Sequence, residues 1–108
     1  MILYLLGKSP FEYRSVETYY ELAELQSRAG IDGRIVFLHG GVLVGRKSNQ
    51  FEERLRALAD AGVSIFLRKE DLDARAITDD SMNDLGTPIN TIEIMKLAAE
   101  SDTLVSVI

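Results

Sequence analysis

The sequence predicts an α/β fold, a three-layer sandwich with a small, mostly parallel sheet of four to five strands and helices on both faces. Two observations predict it. Apolar runs without alternation recur along the chain, as in strands that are buried on both faces. Stretches with helical spacing of apolar and charged residues separate these runs. We expect the order β-α-β-α-β-α-β with right-handed crossovers, in a single domain over residues 1–108.

The strands are predicted from short apolar runs. Four such runs are present: Ile2–Leu6, Ile35–Leu38, Val63–Leu67 and Leu104–Ile108. The acidic region Glu70–Pro88 is less regular. There we expect a short helix at Asp71–Ala76 and a short strand near Thr87–Ile89.

The first helix is predicted between Phe11 and Ala29 as a surface helix with one buried stripe. Charged residues follow one side, and a second side is apolar: Val16, Tyr19, Leu22 and Ala23. Four tyrosines lie in the first fifth of the chain. We expect core packing for Tyr4 and Tyr19, whereas Tyr13 and Tyr20 are the better candidates for a partner interface.

Two further helices have clear end signals. Asn49 as cap, Glu52 three residues later and Gly62 as the stop delimit the second helix. Its predicted core stripe is Phe51, Leu55, Leu58 and Ala59. The third helix begins after Pro88, with Asn90 or Thr91 as cap. It is expected to run through Ile92, Met95, Leu97 and Ala98 to about Glu100.

Composition excludes several classes of function. The chain has no cysteine, which rules out a nucleophilic thiol, a persulfide carrier of its own, a thiolate metal site and disulfides. The net charge is −5, with the acidic excess in residues 55–108, and this disfavours duplex nucleic acid as a direct partner. No leader pattern or membrane-length apolar run is present, so we expect a cytoplasmic protein. We expect no cofactor and no bound metal.

Chemistry is expected at the carboxyl ends of the strands, where open α/β sheets bind ligands. Three polar segments follow strands and are expected to form one rim: Gly7–Pro10, His39–Gly41 and Arg68–Asp71. The single histidine, His39, suits a proton shuttle, but no nucleophile or base partner lies beside it in sequence. A histidine bonded to loop backbone, without a catalytic role, is the favoured interpretation.

The glycine-bounded segment Gly40–Gly45 matches neither the dinucleotide fingerprint nor the P-loop. Its apolar residues Val42–Val44 either fold into a helical turn packed on the core or present an apolar patch to a partner. Arg46 and Lys47 follow, and they form either a small basic spot with Lys8 or solvated loop charges. The acids between Glu70 and Asp84 do not follow a calcium-loop pattern, which favours a solvated or partner-facing surface.

Three segments at successive strand ends carry a resemblance to a known family. They are Lys8-Ser9-Pro10-Phe11, Leu38-His39-Gly40-Gly41-Val42 and Glu70-Asp71-Leu72-Asp73-Ala74-Arg75. Together they resemble the DsrE/DsrF/DsrH-like sulfur-relay family, specifically its DsrH (TusB) branch, over nearly the whole chain. Leu104–Ile108 replaces the tryptophan region customary in that branch, so the chain resembles a divergent member.

The resemblance implies a DsrE/YchN-like fold and a subunit of a hetero-oligomer that passes persulfide sulfur between cysteines, for 2-thiolation of the tRNA wobble uridine or for sulfur oxidation. The expected partners are sister DsrE/DsrF-like (TusD/TusC-like) subunits that carry the cysteine. We therefore expect an accessory subunit that is not an enzyme on its own. Binding or interface candidates are Lys8, Ser9, His39, Gly40, Gly41, Val42, Leu43 and Arg75. The alternative is a homo-oligomeric module that binds a small ligand or anion at the same rim.

Overall fold

The computed structural model describes all residues, 1–108, and contains one parallel sheet with the strand order β4-β3-β2-β1-β5. The strands are β1 (Ile2–Leu6), β2 (Gly33–Phe37), β3 (Ser64–Arg68), β4 (Thr87–Ile89) and β5 (Thr103–Val107). The helices are α1 (Glu17–Arg28), α2 (Glu52–Asp60), α3 (Lys69–Ala74) and α4 (Thr91–Glu100). Short 3₁₀ helices span Arg14–Val16, His39–Gly45 and Asp79–Ser81. The predicted α/β fold is confirmed, with five strands.

The two faces of the sheet are covered unequally. Helices α1, α2 and α3 and the 3₁₀ helix His39–Gly45 bury the larger core on one face, around Tyr4, Ile35 and Leu67. The other face is covered by α4, and its core has five buried residues: Leu3, Val36, Leu38, Ile89 and Ile94. None of the helices is long and apolar enough to cross a membrane.

The residues predicted to start α2 form their hydrogen bonds in the turn just before the helix. The Asn49 carboxamide oxygen accepts a hydrogen bond from the Phe51 N–H at 2.7 Å. The Glu52 carboxylate accepts from the Ser48 N–H at 3.0 Å, rather than from Asn49 itself. Gly62 ends the helix with φ +98°, a conformation that favours glycine. The capping prediction for α4 is confirmed, because the Asn90 side chain accepts from the Glu93 N–H and the Glu93 carboxylate accepts from the Asn90 N–H.

Several predicted buried faces are wrong. In α1, Tyr20 is buried and Leu22 is exposed, so Tyr20 is a core residue and not an interface candidate. In α2, Ala59 is exposed. For α4 no buried side is predicted; in the structure Ile94 is buried, while Ile92 and Met95 are each 65% exposed. Periodicity could not select the buried side of α4, because its sequence is apolar at Ile92, Ile94, Met95 and Leu97 alike.

Candidate functional site

The carboxyl edge of the sheet brings the first two predicted segments together. A Cβ atom placed on Gly7 would lie 3.5 Å from Nδ1 of His39 and 3.3 Å from Cα of Ile108. A Cβ on Gly40 would lie 3.5 Å from Cβ of Ser9. The ends of β1 and β2 therefore meet beside the end of β5. This is the point where the strand order reverses, which in α/β sheets is the usual position of a functional crevice.

Asp71 connects this edge to the third segment. Its carboxylate is buried, and Oδ2 accepts a hydrogen bond from the His39 backbone N–H at 2.8 Å. Oδ2 also accepts from an Nη atom of Arg68 at 3.3 Å, and Oδ1 lies 3.6 Å from an Nη atom of Arg75. One carboxylate thus holds the loop after β2, the end of β3 and helix α3.

Two arginines surround Asp71, and one of them also pairs with a second carboxylate, that of Glu70. Their side chains are 27% exposed for Arg68 and 33% exposed for Arg75, so both reach solvent at the rim. Arg68 also donates from Nε to the Thr91 hydroxyl at 3.0 Å. Arg68 also lies 3.9 Å from the Glu70 carboxylate, so two arginines and two acids balance here, and Arg75 is the arginine whose one carboxylate partner is Asp71.

Glu70 anchors the start of α4 to the same edge. Its carboxylate accepts from the Thr91 N–H at 3.1 Å and from the Thr91 hydroxyl at 2.8 Å. Hydrogen bonds from its own backbone N–H and from Thr91 hold the pKa of the Glu70 carboxyl below its usual value. The edge is therefore tied to α4 as well as to α3.

Several candidates shape the rim without presenting a free group. Ser9 is buried, and its hydroxyl accepts from the Phe11 N–H at 3.2 Å. Gly41 donates its N–H to the Leu38 carbonyl at 2.9 Å, and a Cβ there would lie 2.4 Å from the Leu6 carbonyl oxygen. Only glycine fits this approach. Val42 is fully buried, so the helical turn on the core is the correct alternative and its side chain is not available to a partner.

The remaining candidates are accessible. His39 is exposed with φ +49°, and its backbone N–H, not its imidazole, makes the bond to Asp71. Lys8 places its ammonium 4.7 Å from the centre of the Tyr13 ring, a cation–π contact. Leu43 is half-buried and lies away from the rim, beside Phe11.

The sequence places Asp71 in the rim segment Arg68–Asp71 and in an acidic surface that is solvated or faces a partner, but it does not predict the central position of this carboxylate. A usable signal is the spacing Arg68, Asp71, Arg75, at which the arginine that ends β3 and the arginine that follows α3 both reach one carboxylate. A contact between the segments that follow β2 and β3 has no comparable spacing in the sequence. The bond from His39 to Asp71 spans 32 residues.

Two comparisons of the sequence show which family this chain belongs to. The model of the DsrH like protein family matches residues 8–104. Protein TusB of Photorhabdus laumondii is 30% identical over 99 residues, which cover 92% of this chain and 93% of TusB. This chain belongs to the DsrH family. The expected DsrH (TusB) branch of the sulfur-relay family is thereby confirmed.

Solved structures show the same fold at low identity. The ychN protein of E. coli superposes with a TM-score of 0.81 at 18% identity, covering 98% of the DsrH-family chain and 97% of ychN. MTH1491 of Methanobacterium thermoautotrophicum gives 0.77 at 15% identity, covering 98% and 96%. These identities show a shared fold alone, and they confirm the expected YchN-like architecture.

Proposed function

We propose that this DsrH-family chain is a non-catalytic subunit of a sulfur-relay hetero-oligomer, in which sister DsrE/DsrF-like subunits carry the reacting cysteines. Family membership and composition both support the proposal. The family is a sulfur-relay family, and this chain has no thiol with which to carry sulfur. The observation that carries the proposal is the partly exposed guanidinium of Arg75, which Asp71 positions at the carboxyl edge of a chain that cannot react there itself.

The chemistry of such a relay is an exchange between sulfur atoms. A thiolate on the acceptor attacks the outer sulfur of a donor persulfide, a new S–S bond forms, the old S–S bond breaks, and the donor leaves as a thiolate. Sulfur changes carrier without an external oxidant or reductant. Both the attacking and the leaving group are anions, so a fixed cation beside them favours the reaction.

Arg75 is the residue we propose for this role. Its guanidinium is positioned by Asp71 at 3.6 Å and by the Asp71 backbone carbonyl at 3.4 Å, while part of the side chain faces solvent. A cation within about 4–6 Å of a thiol lowers its pKa by about one unit or more. Lys8 and His39 lie at the same edge and would line the partner's site.

The destination of the sulfur is part of the proposal. Wobble-uridine 2-thiolation of tRNA and sulfur oxidation are the two routes that the resemblance implies. In both, this chain has the same task, which is to present a charged edge to a partner cysteine. The route follows from the partners that assemble with it.

The proposal is tested by isolating the tagged chain from its native lysate under non-reducing conditions, with mass spectrometry and light scattering of the purified material. We expect small cysteine-containing proteins of similar size at a fixed ratio. A stable homo-oligomer without such partners would contradict the relay role. The alternative of a homo-oligomeric anion-binding module would then account for the same rim.

A further inference from the structure

A second polar feature lies away from the rim, at the far end of the 3₁₀ helix His39–Gly45. It is a surface cavity of about 260 Å³ that the proposed relay chemistry does not use. Its lining residues are Phe11, Leu43, Arg46, Lys47 and Asn49. Two cations, an aromatic ring and an aliphatic side chain meet there without a carboxylate.

The backbone below the cations is fixed. The Asn49 amide nitrogen donates to the Val44 and Arg46 carbonyl oxygens at 2.9 and 2.6 Å, and the Asn83 amide nitrogen donates to the same two oxygens at 2.9 and 3.1 Å. The Lys47 N–H donates to the Ser81 carbonyl at 2.9 Å. The cationic side chains thus extend from an ordered segment. Both N–H groups of the Asn49 amide donate to backbone carbonyls, so Asn49 lines the cavity without a free donor for a ligand.

The charges in this cavity are unpaired. Six of the eight arginines form ion pairs with carboxylates, but Arg46 and Lys47 do not. This leaves two positive charges side by side on a protein of net charge −5. A dianion is the ligand that satisfies both, since the guanidinium offers a planar pair of donors and the ammonium a point charge.

The apolar half of the cavity suits a planar ring. Phe11 is 46% exposed, and its ring is held edge to face by Phe51, with centroids 4.8 Å apart. Leu43 completes this side. Exposed aromatic faces next to cations are the usual stacking platforms for nucleotide bases.

We propose that this cavity binds a nucleotide, with the base on Phe11 and Leu43 and the phosphate on Arg46 and Lys47. The volume of about 260 Å³ lies just below the usual range for ligand sites, so a small, single-ring pyrimidine base is the proposed occupant. The phosphorylated nucleotide is either free or the 5′-terminal residue of a single RNA strand. The site does not depend on the cysteine partners, because all of its groups lie on this chain.

The test is a two-dimensional NMR titration of the purified full-length chain with uridine 5′-monophosphate, uridine and inorganic phosphate. We expect uridine monophosphate to shift the Phe11, Leu43 and Lys47 signals saturably, with a Kd of about 1 mM or below, and each fragment to bind about tenfold more weakly. Shifts spread over the surface, or equal binding of phosphate alone, would overturn the proposal.

Two double variants distinguish binding in this cavity from a general effect of the protein's positive charges. Arg46→Ala with Lys47→Ala should weaken binding by about tenfold or more, whereas the exposed control Lys69→Ala with Lys96→Ala should leave it unchanged. Phe11→Leu should weaken uridine monophosphate binding without changing the weak binding of phosphate. Equal losses in both double variants would contradict the site. A 5′-phosphorylated oligouridylate that binds more tightly than the mononucleotide identifies the strand as the source, and equal affinity identifies the free nucleotide.

Discussion

Asp71 is the residue whose replacement should disturb the carboxyl edge most, and the structure gives the size of the effect. Asp71→Ala removes an acceptor from the His39 N–H at 2.8 Å, a charge-assisted hydrogen bond that contributes about 2 kcal/mol. The two arginine contacts at 3.3 and 3.6 Å involve side chains about 30% exposed, so each contributes about 0.5 kcal/mol. The expected loss in the free energy of unfolding is about 3 kcal/mol.

Asp71→Asn separates these contributions. The amide keeps an oxygen for the His39 N–H but loses the negative charge, so the expected loss is about half as large, about 1.5 kcal/mol. The matched control is Asp73→Asn, because Asp73 is exposed on the same helix and forms no ion pair. That change should stay within about 0.5 kcal/mol of the original chain.

Urea unfolding followed by circular dichroism measures all three variants at one pH and ionic strength. Asp73→Asn should be the most stable of the three variants, Asp71→Asn less stable, and Asp71→Ala the least stable. A loss below about 1 kcal/mol for Asp71→Ala would refute the argument that one carboxylate holds three elements together. In an NMR spectrum of the folded Asp71→Asn variant, a shifted His39 amide signal would show that the hydrogen bond from the His39 N–H is lost.

Three further predictions follow from single contacts. Gly41→Ala should destabilise the chain by about 2–3 kcal/mol in urea unfolding, because its Cβ would lie 2.4 Å from the Leu6 carbonyl oxygen; an unchanged midpoint would contradict this. Tyr20→Phe should raise the free energy of unfolding by about 1 kcal/mol, because the buried Tyr20 hydroxyl has no hydrogen-bond partner; a lower Tm would argue against it. The pKa of Glu70 is lowered on folding, so its contribution is present above the ordinary pKa of 4.5 and is lost as pH falls through the folded value. The stability difference between the original chain and Glu70→Gln should therefore be larger near neutral pH than in acid, and a pH-independent difference would refute it.

The layered fold could be predicted because its signals are local. The run Ile2–Leu6 and the strand Thr87–Ile89 have the same bounds in sequence and structure, and β2, β3 and β5 differ by one or two residues. Asn90 and Gly62 were found because caps and stops act within one turn.

The buried sides of the helices could not be predicted as well. Tyr20 is buried and Leu22 is exposed, the reverse of the prediction, because packing against Phe37 on β2 selects Tyr20 for the core. In α4 the sheet covers Ile94 and leaves Met95 in solvent. Such choices depend on where a helix sits on the sheet, and periodicity within the helix does not report that position.

The location of the candidate site could be predicted from the sequence, but its hydrogen bonds and ion pairs could not. The rim follows from the rule that parallel strands end together, so Gly7, His39 and Arg68 were expected at one edge. Asp71 as the centre was not, because its partners come from three elements. The cavity beside Phe11 was only half indicated, by Arg46 and Lys47 as a basic spot; its aromatic wall comes from a loop more than thirty residues earlier.

The central claim is that this chain serves a partner cysteine through fixed charge, and the rate of sulfur transfer in the purified complex tests it most directly. Arg75→Gln should slow transfer by about threefold to tenfold, since one unit of thiol pKa changes the thiolate fraction about tenfold and nucleophilicity offsets part of this. Arg75→Lys should restore most of the rate, and Arg56→Gln, an exposed control on α2, should leave it unchanged. An intact complex in which Arg75→Gln transfers sulfur at the original rate would contradict the account.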